Sequence, residues 1–181
     1  MKRVAIVFLL ILIILALARS SVVTLIDSEE EFVPYENKSL GIAINYPEEW
    51  TIKASQHSVT FIPPDETFND SLRETFTIVV VDWSPHEVTF EEFTRGMMAH
   101  KAIGDGPPVV ICKTLDNVPA LTRRYSLGQV RFLQIDAVKD NKSYHITFYA
   151  KRIDFSEYIE ILQEMIDSFR FIPEKMAILT H

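Results

Sequence analysis

The sequence predicts an α+β fold, an antiparallel β-sheet layered with one helix inserted at mid-chain and another closing the chain, and three observations carry this reading. Four runs rich in β-forming residues follow one another between 109 and 152 with turn signals between them, the mark of successive antiparallel strands. Two other stretches switch to helical spacing and open with capping residues. The chain has 181 residues, 48% hydrophobic and 24% charged, enough for one packed domain but not for a second.

The elements follow in chain order. Lys2 and Arg3 precede fifteen uninterrupted apolar residues, Val4 to Ala18, and Ala16-Leu17-Ala18 supplies a small-x-small cleavage site before Arg19. As a helix this run rises only about 22 Å, short of the roughly 30 Å hydrocarbon core. If Arg19 snorkels and Val22 to Ile26 extend the helix, the same segment becomes an uncleaved anchor with the body outside. Residues 1–26 are therefore expected to be a signal peptide or an N-terminal membrane anchor, with retention as an anchor slightly favoured. Either outcome makes the body extracytoplasmic, membrane-anchored or secreted. Residues 27–34, which include Asp27-Ser28-Glu29-Glu30-Glu31, read as an acidic solvated spacer.

Folded structure is expected from Tyr35 to Pro173, leaving 174–181 as a tail. Leu40 to Tyr46 alternates apolar residues, and Pro47-Glu48-Glu49 turns the chain into Trp50 to Lys53, which predicts a hairpin followed by a third strand at Ser58 to Ile62. Pro63-Pro64 ends that strand, and the polar stretch through Arg73 is a surface loop. Phe76 to Trp83 carries apolar residues on both faces toward its middle, as a central strand covered from two sides would. Thr89 caps the first helix with Glu92 completing a capping box, Val88 and Phe93 forming the staple, and Phe90, Phe93 and Met97 the buried stripe. Four strands follow, Val109 to Leu115, Ala120 to Leu127, Val130 to Val138 and Ser143 to Arg152, turned by Asp116-Asn117, Gly128-Gln129 and Lys139 to Lys142. In the closing helix, Phe155, Tyr158, Ile159, Leu162, Met165, Ile166 and Phe169 share one face, and Asp154, Glu157 and the pair Ile153 with Tyr158 are expected to cap and staple its start.

The string Leu40-Gly41-Ile42-Ala43-Ile44-Asn45-Tyr46-Pro47-Glu48-Glu49-Trp50 resembles the opening of the PsbP-like domain, where an extended segment with a glycine leads into a Tyr-Pro-x-x-Trp turn. Tyr144-His145-Ile146-Thr147-Phe148-Tyr149-Ala150 and the helix ending Ile166-Asp167-Ser168-Phe169-Arg170-Phe171 look like the last strand and closing helix of that family. The resemblance implies an αβα sandwich, and a non-enzymatic accessory role such as exported members of the family perform. In the plant members the segment ahead of the domain helps retain calcium and chloride; here that place holds the apolar leader and acidic spacer, so no binding residue carries over.

The function classes narrow by exclusion. A net charge of −7 repels phosphate backbones, so nucleic acid is not an expected partner. Glycines stand only at 41, 96, 104, 106 and 128, spacings that admit neither a Gly-x-Ser-x-Gly elbow nor a Walker loop. Histidines at 57, 86, 100, 145 and 181 form no short metal-binding pair. Cys112, the single cysteine, sits in an apolar strand and reads as buried and inert. Asp65, Glu66, Asn69 and Asp70 are the candidate calcium ligands of the chain, although the glycine and terminal glutamate of an EF-hand are missing and a solvated loop is the plainer reading. His145 has Asp136 and Gln134 within reach across a turn, a pair that could move a proton or bind a metal but reads more simply as a cross-strand polar pair. Trp83, beside Pro85 and His86, reads as an aromatic anchoring the sheet edge rather than the cap of a ligand groove. Asn37, Asn69 and Asn141 begin N-x-S/T triplets in expected loops, compatible with an exported surface. The expectation is a non-enzymatic exported accessory or adaptor domain with a protein partner at the membrane surface, membrane contact through residues 1–26 and no cofactor. The alternative is a small-ligand or calcium-binding module, with a hydrolase third.

Overall fold

The computed structural model describes residues 30–64, 73–99 and 109–173. The expected leader, the 174–181 tail and the candidate ligands Asp65, Glu66, Asn69 and Asp70 lie outside the described residues. Within the compact unit Glu31–His181, the elements run β1 (Phe32–Asn37), β2 (Ile42–Pro47), β3 (Thr51–Ala54), β4 (Ser58–Ile62), β5 (Thr75–Asp82), α1 (Phe90–Ala99), β6 (Val109–Leu115), β7 (Val118–Leu127), β8 (Val130–Lys139), β9 (Lys142–Lys151), α2 (Ile159–Ser168) and β10 (Arg170–Phe171).

The strands make two antiparallel sheets, a small one in the order β1-β2-β10 and a large one in the order β3-β4-β5-β9-β8-β7-β6. The four runs from β6 to β9 form the meander their turn residues predict. Asp116 and Asn117 at φ 46° and 63°, and Asp140 and Asn141 at 50° and 62°, are both left-handed, the backbone that two-residue hairpins require and that Asn and Asp tolerate. The connection through α1 carries the chain from β5 to the far edge, and the meander returns strand by strand until β9 pairs with β5 from Thr75↔Tyr149 to Asp82↔Lys142. Strand β5 is thus interior, as expected. Its second face is only partly covered, with Phe76, Ile78 and Val80 buried but Val81 exposed.

The expected hairpin between Leu40–Tyr46 and Trp50–Lys53 does not form. Strand β2 pairs with β1 and β10, whereas β3 pairs with β4 in the other sheet. The Tyr46-Pro47-Glu48-Glu49-Trp50 segment is a corner between sheets, closed by the Trp50 amide donating to the Pro47 carbonyl at 2.9 Å, and the buried indole packs against Tyr158. Strand β1 starts at Phe32, so the chain already pairs ahead of Tyr35. Gly41, at φ +70°, lets β10 close on β2: its carbonyl accepts from the Ile172 amide at 2.9 Å, and a Cβ there would stand 3.4 Å from the Ile172 carbonyl oxygen.

Helix α1 begins as its sequence predicts. The Glu92 carboxylate accepts from the Thr89 amide and hydroxyl, the Thr89 hydroxyl accepts from the Glu92 amide, and Phe93 is buried. Helix α2 does not. It starts at Ile159 with no side-chain cap on Tyr158, while 154–158 forms turns and Ile153, the expected staple, is 81% exposed. The reason is Phe155: its amide bonds to the Lys151 carbonyl, its ring enters the core against Phe148, and the Arg131 guanidinium lies over it at 5.6 Å. Placing that ring fixes the chain in successive turns before the helix begins.

Alternate residues of a strand face opposite sides. On the inner face of the large sheet Ile78, Ile135, Ile146 and Phe148 join Ile42, Ile44, Leu162, Met165 and Phe169 in one core, so α2 and the small sheet cover this side. On the outer face Phe93 of α1 packs against His145. The architecture is an α+β sandwich with α1 and α2 on opposite faces.

Candidate functional site: a buried serine-histidine-aspartate file

The outer face carries the densest chemistry among the described residues, and strand register builds it. The two-residue turn at Asp140-Asn141 pairs Lys139 with Lys142, and counting back places Asp136 opposite His145. The β7–β8 turn likewise places Arg123 opposite Gln134. Aspartate, histidine and arginine therefore meet on one face of three neighbouring strands.

His145 Nδ1 lies 2.8 Å from Asp136 Oδ1, and His145 Nε2 lies 3.0 Å from Ser143 Oγ. Trp83 Nε1 donates to the same Ser143 oxygen at 2.9 Å. The other Asp136 oxygen, Oδ2, accepts from Arg123 Nη2 at 2.8 Å, and Gln134 Nε2 donates to Oδ1 at 3.2 Å. Because the indole can only donate, one consistent assignment runs from indole N–H to serine oxygen, serine O–H to Nε2, and Nδ1–H to carboxylate. Tyr125 extends the network through a longer bond to Gln134 at 3.4 Å, and burial pushes the Tyr125 phenol above its ordinary range.

Connectivity is that of a nucleophile, a base and an orienting carboxylate. Access is not. The side chains of Ser143 and Asp136 are fully buried, His145 retains 22% exposure and Arg123 17%, and the Phe93 ring lies 5.5 Å from the imidazole. An acyl group would have no approach to Ser143 Oγ, whose oxygen is already shared between imidazole and indole. The chain of bonds surrounds the buried Asp136 carboxylate with donors from Arg123, Gln134 and His145, and such hydrogen bonds offset the cost of burying a polar group.

The structure brings His145, Asp136 and Gln134 together, as the sequence suggested. Ser143, Arg123 and the link to Trp83 were missed, although the register counted from the two turns pairs Arg123 with Gln134. Trp83 is 38% exposed and reaches inward through its indole N–H. Cys112 sits on β6 opposite Leu121, and its side chain lies outside the described residues. Two of the three triplet asparagines are in use by the fold: Asn37 Oδ1 accepts from the Leu40 amide, and Asn141 Oδ1 accepts from the Val88 amide ahead of α1. Among the described residues no three His, Cys, Asp or Glu side chains gather as a metal site, and no helix is long and apolar enough to cross a membrane.

No family model matches the chain, and no curated protein matches it. Solved structures do. The cyanobacterial PsbP protein of Synechocystis is 13% identical, with a TM-score of 0.57 over 78% of this chain and 93% of its own. LpqN of Mycobacterium tuberculosis, described as involved in cell envelope biogenesis, is 12% identical with a TM-score of 0.55 over 79% of this chain and 91% of its own. A Bacteroides thetaiotaomicron protein is 10% identical with a TM-score of 0.54, the match spanning 79% of this chain and 49% of that one. At such identities the likeness is one of fold. Together with the paired sheets and the two opposed helices, it gives this chain the PsbP-like fold.

Proposed function

We propose that this protein is a non-enzymatic accessory domain of the cell envelope, exported and held at the membrane by its leader, where it joins or assists a protein assembly. The observation that carries the reading is the closure of the Ser143-His145-Asp136 file: this arrangement of catalytic type among the described residues is built into the interior and shared with Trp83 and Arg123. Two structural neighbours support it, a PsbP protein and an envelope-biogenesis protein, as does the basic-then-apolar start of the sequence.

Two experiments test it. Fractionation of the native host should place the full chain in the membrane with its domain accessible from outside, and the mature N-terminus should precede Arg19; a terminus beginning at Arg19 would instead mean a cleaved, secreted protein. Treatment with a fluorophosphonate probe should leave Ser143 unlabelled. Labelling that disappears in Ser143→Ala would identify a serine hydrolase and end the non-enzymatic reading.

A further inference from the structure

The inner side of the large sheet has an opening that the core does not fill. Between α2 and strands β6 to β8 lies a cleft of 130 Å³, far more than a single water requires. Its floor is apolar: Leu115, Leu133, Ile135 and Leu162 line it, each no more than 7% exposed, together with Phe155 at 4%. Its length follows the helix, for the lining takes in Ile159, Leu162, Gln163, Ile166 and Asp167, and Ile159 to Ile166 spans about 10 Å of helix axis. The exposed Ile159 forms an apolar lip.

The polar groups on the cleft are unevenly placed. Lys113 and Arg124 stand on the strand side, both exposed and without an ion-pair partner among the described residues. On the helix side, the Asp167 carboxylate is held by Gln163 Nε2 at 2.8 Å. Beyond it, Asp116 faces Arg170 at 3.9 Å and uses its second oxygen to accept from the Phe171 amide. The acids are engaged within the fold; the two cations are not. In a chain of net charge −7, two unpaired cations beside an apolar cleft are a local inversion of the general field.

We infer that this cleft is a binding site for a single-chain anionic amphiphile, a medium-length alkyl carboxylate whose chain lies along α2 on the Leu115, Leu133, Ile135 and Leu162 floor while its carboxylate meets Arg124, with Lys113, four register positions along, adding to the positive field. A trough that follows the helix over an apolar floor fits a chain better than a compact ring. Burying each methylene of that chain supplies the affinity, and the cations set its sign preference. This site is separate from the serine-histidine-aspartate file, which lies on the opposite face of the same sheet, and it does not depend on the protein being an envelope component.

The test uses the full chain in a mild neutral detergent below its critical concentration, titrated with octanoate and decanoate, with octanol and octylamine as matched controls, and followed by calorimetry and by amide shifts of the residues lining the cleft. Saturable binding is expected at one site, decanoate stronger than octanoate and octylamine weaker than either, with shifts centred on Leu133, Leu162 and Ile166. Lys113→Gln with Arg124→Gln, two exposed side chains whose replacement leaves the core intact, should weaken carboxylate binding about tenfold and leave octanol unchanged. Ile159→Glu, on the exposed lip, should do the same by repelling the headgroup. Circular dichroism confirms that each variant is folded. Equal binding of octanoate and octylamine, carboxylate binding unchanged in both variants, shifts on another surface, or no saturable binding would each overturn the proposal.

Discussion

The two faces of the seven-stranded sheet are made from the same strands and serve opposite ends. On the outer face, alternate residues of β7, β8 and β9 gather Arg123, Gln134, Asp136, Ser143 and His145 into a hydrogen-bonded file covered in part by Phe93 and sealed at one end by Trp83. On the inner face, the intervening residues Leu133, Ile135 and Ile146 are apolar and lie under α2, beside a cleft that water can enter. The serine and aspartate of the file thus sit where access is closed, and access is open over a floor of hydrocarbon. The lesson is that a triad of residue types in the right order is evidence of an interior polar network until an open path to its nucleophile is shown.

The largest effect should come from breaking the outer file at its centre. Asp136→Ala leaves Arg123 and His145 without their shared carboxylate, and loss of one partner of a buried ion pair costs about 3–5 kcal/mol. Denaturant unfolding measures it. A loss below about 1 kcal/mol would mean that the carboxylate contributes no more than an exposed ion pair does.

On the inner face the contrast is between floor and lip. Leu162→Ala, at 2% exposure, should cost about 3 kcal/mol through lost burial and the cavity left behind. Ile159→Ala, one turn away and 47% exposed, should cost under about 0.5 kcal/mol. Equal losses in the two variants would show that the lip is packed as tightly as the floor.

Smaller again is the seal on the serine. Ser143→Ala removes the acceptor of the Trp83 indole and the partner of His145, and should cost about 1–2 kcal/mol. Trp83 fluorescence should shift red as its N–H turns to water; an unchanged spectrum would mean that the indole does not depend on that oxygen.

The smallest effect sits in α1. Hydrogen bonds from the Thr89 hydroxyl and then its amide hold the Glu92 carboxyl below the ordinary value of 4.5. The sign follows: a carboxylate whose folded pKa is depressed stabilises the fold above pH 4.5, and that contribution is lost as pH falls through the lower folded value. Thr89→Ala should raise the Glu92 pKa toward 4.5, read by NMR titration, and leave the outer file untouched. An unshifted pKa would mean that the capping box does not persist in solution.

Much of the molecule is legible in its sequence. The meander from β6 to β9, the capped α1 and the apolar face of α2 follow from period-two and period-3.6 patterns and from Asp-Asn turns, all interactions between residues close in the chain. Even the Asp136–His145 contact was within reach, because a two-residue turn fixes register for the whole hairpin. What sequence could not supply was the choice among distant partners. Leu40 to Tyr46 reads as a strand that wants a neighbour, and the Pro47 turn offers Thr51–Ala54; the chain instead pairs β2 with β1 and β10, because Gly41 admits the closing strand and Trp50 is buried against Tyr158 at the corner. The start of α2 was lost in the same way, when Phe155 was drawn into the core against Phe148 and its local capping residues were overruled. Local pattern determined which segments are strands and helices and which side of each is apolar. Only tertiary packing, by burying Ser143 and leaving a cleft beside α2 among the described residues, decided which of the chemically suggestive residues lie at the surface.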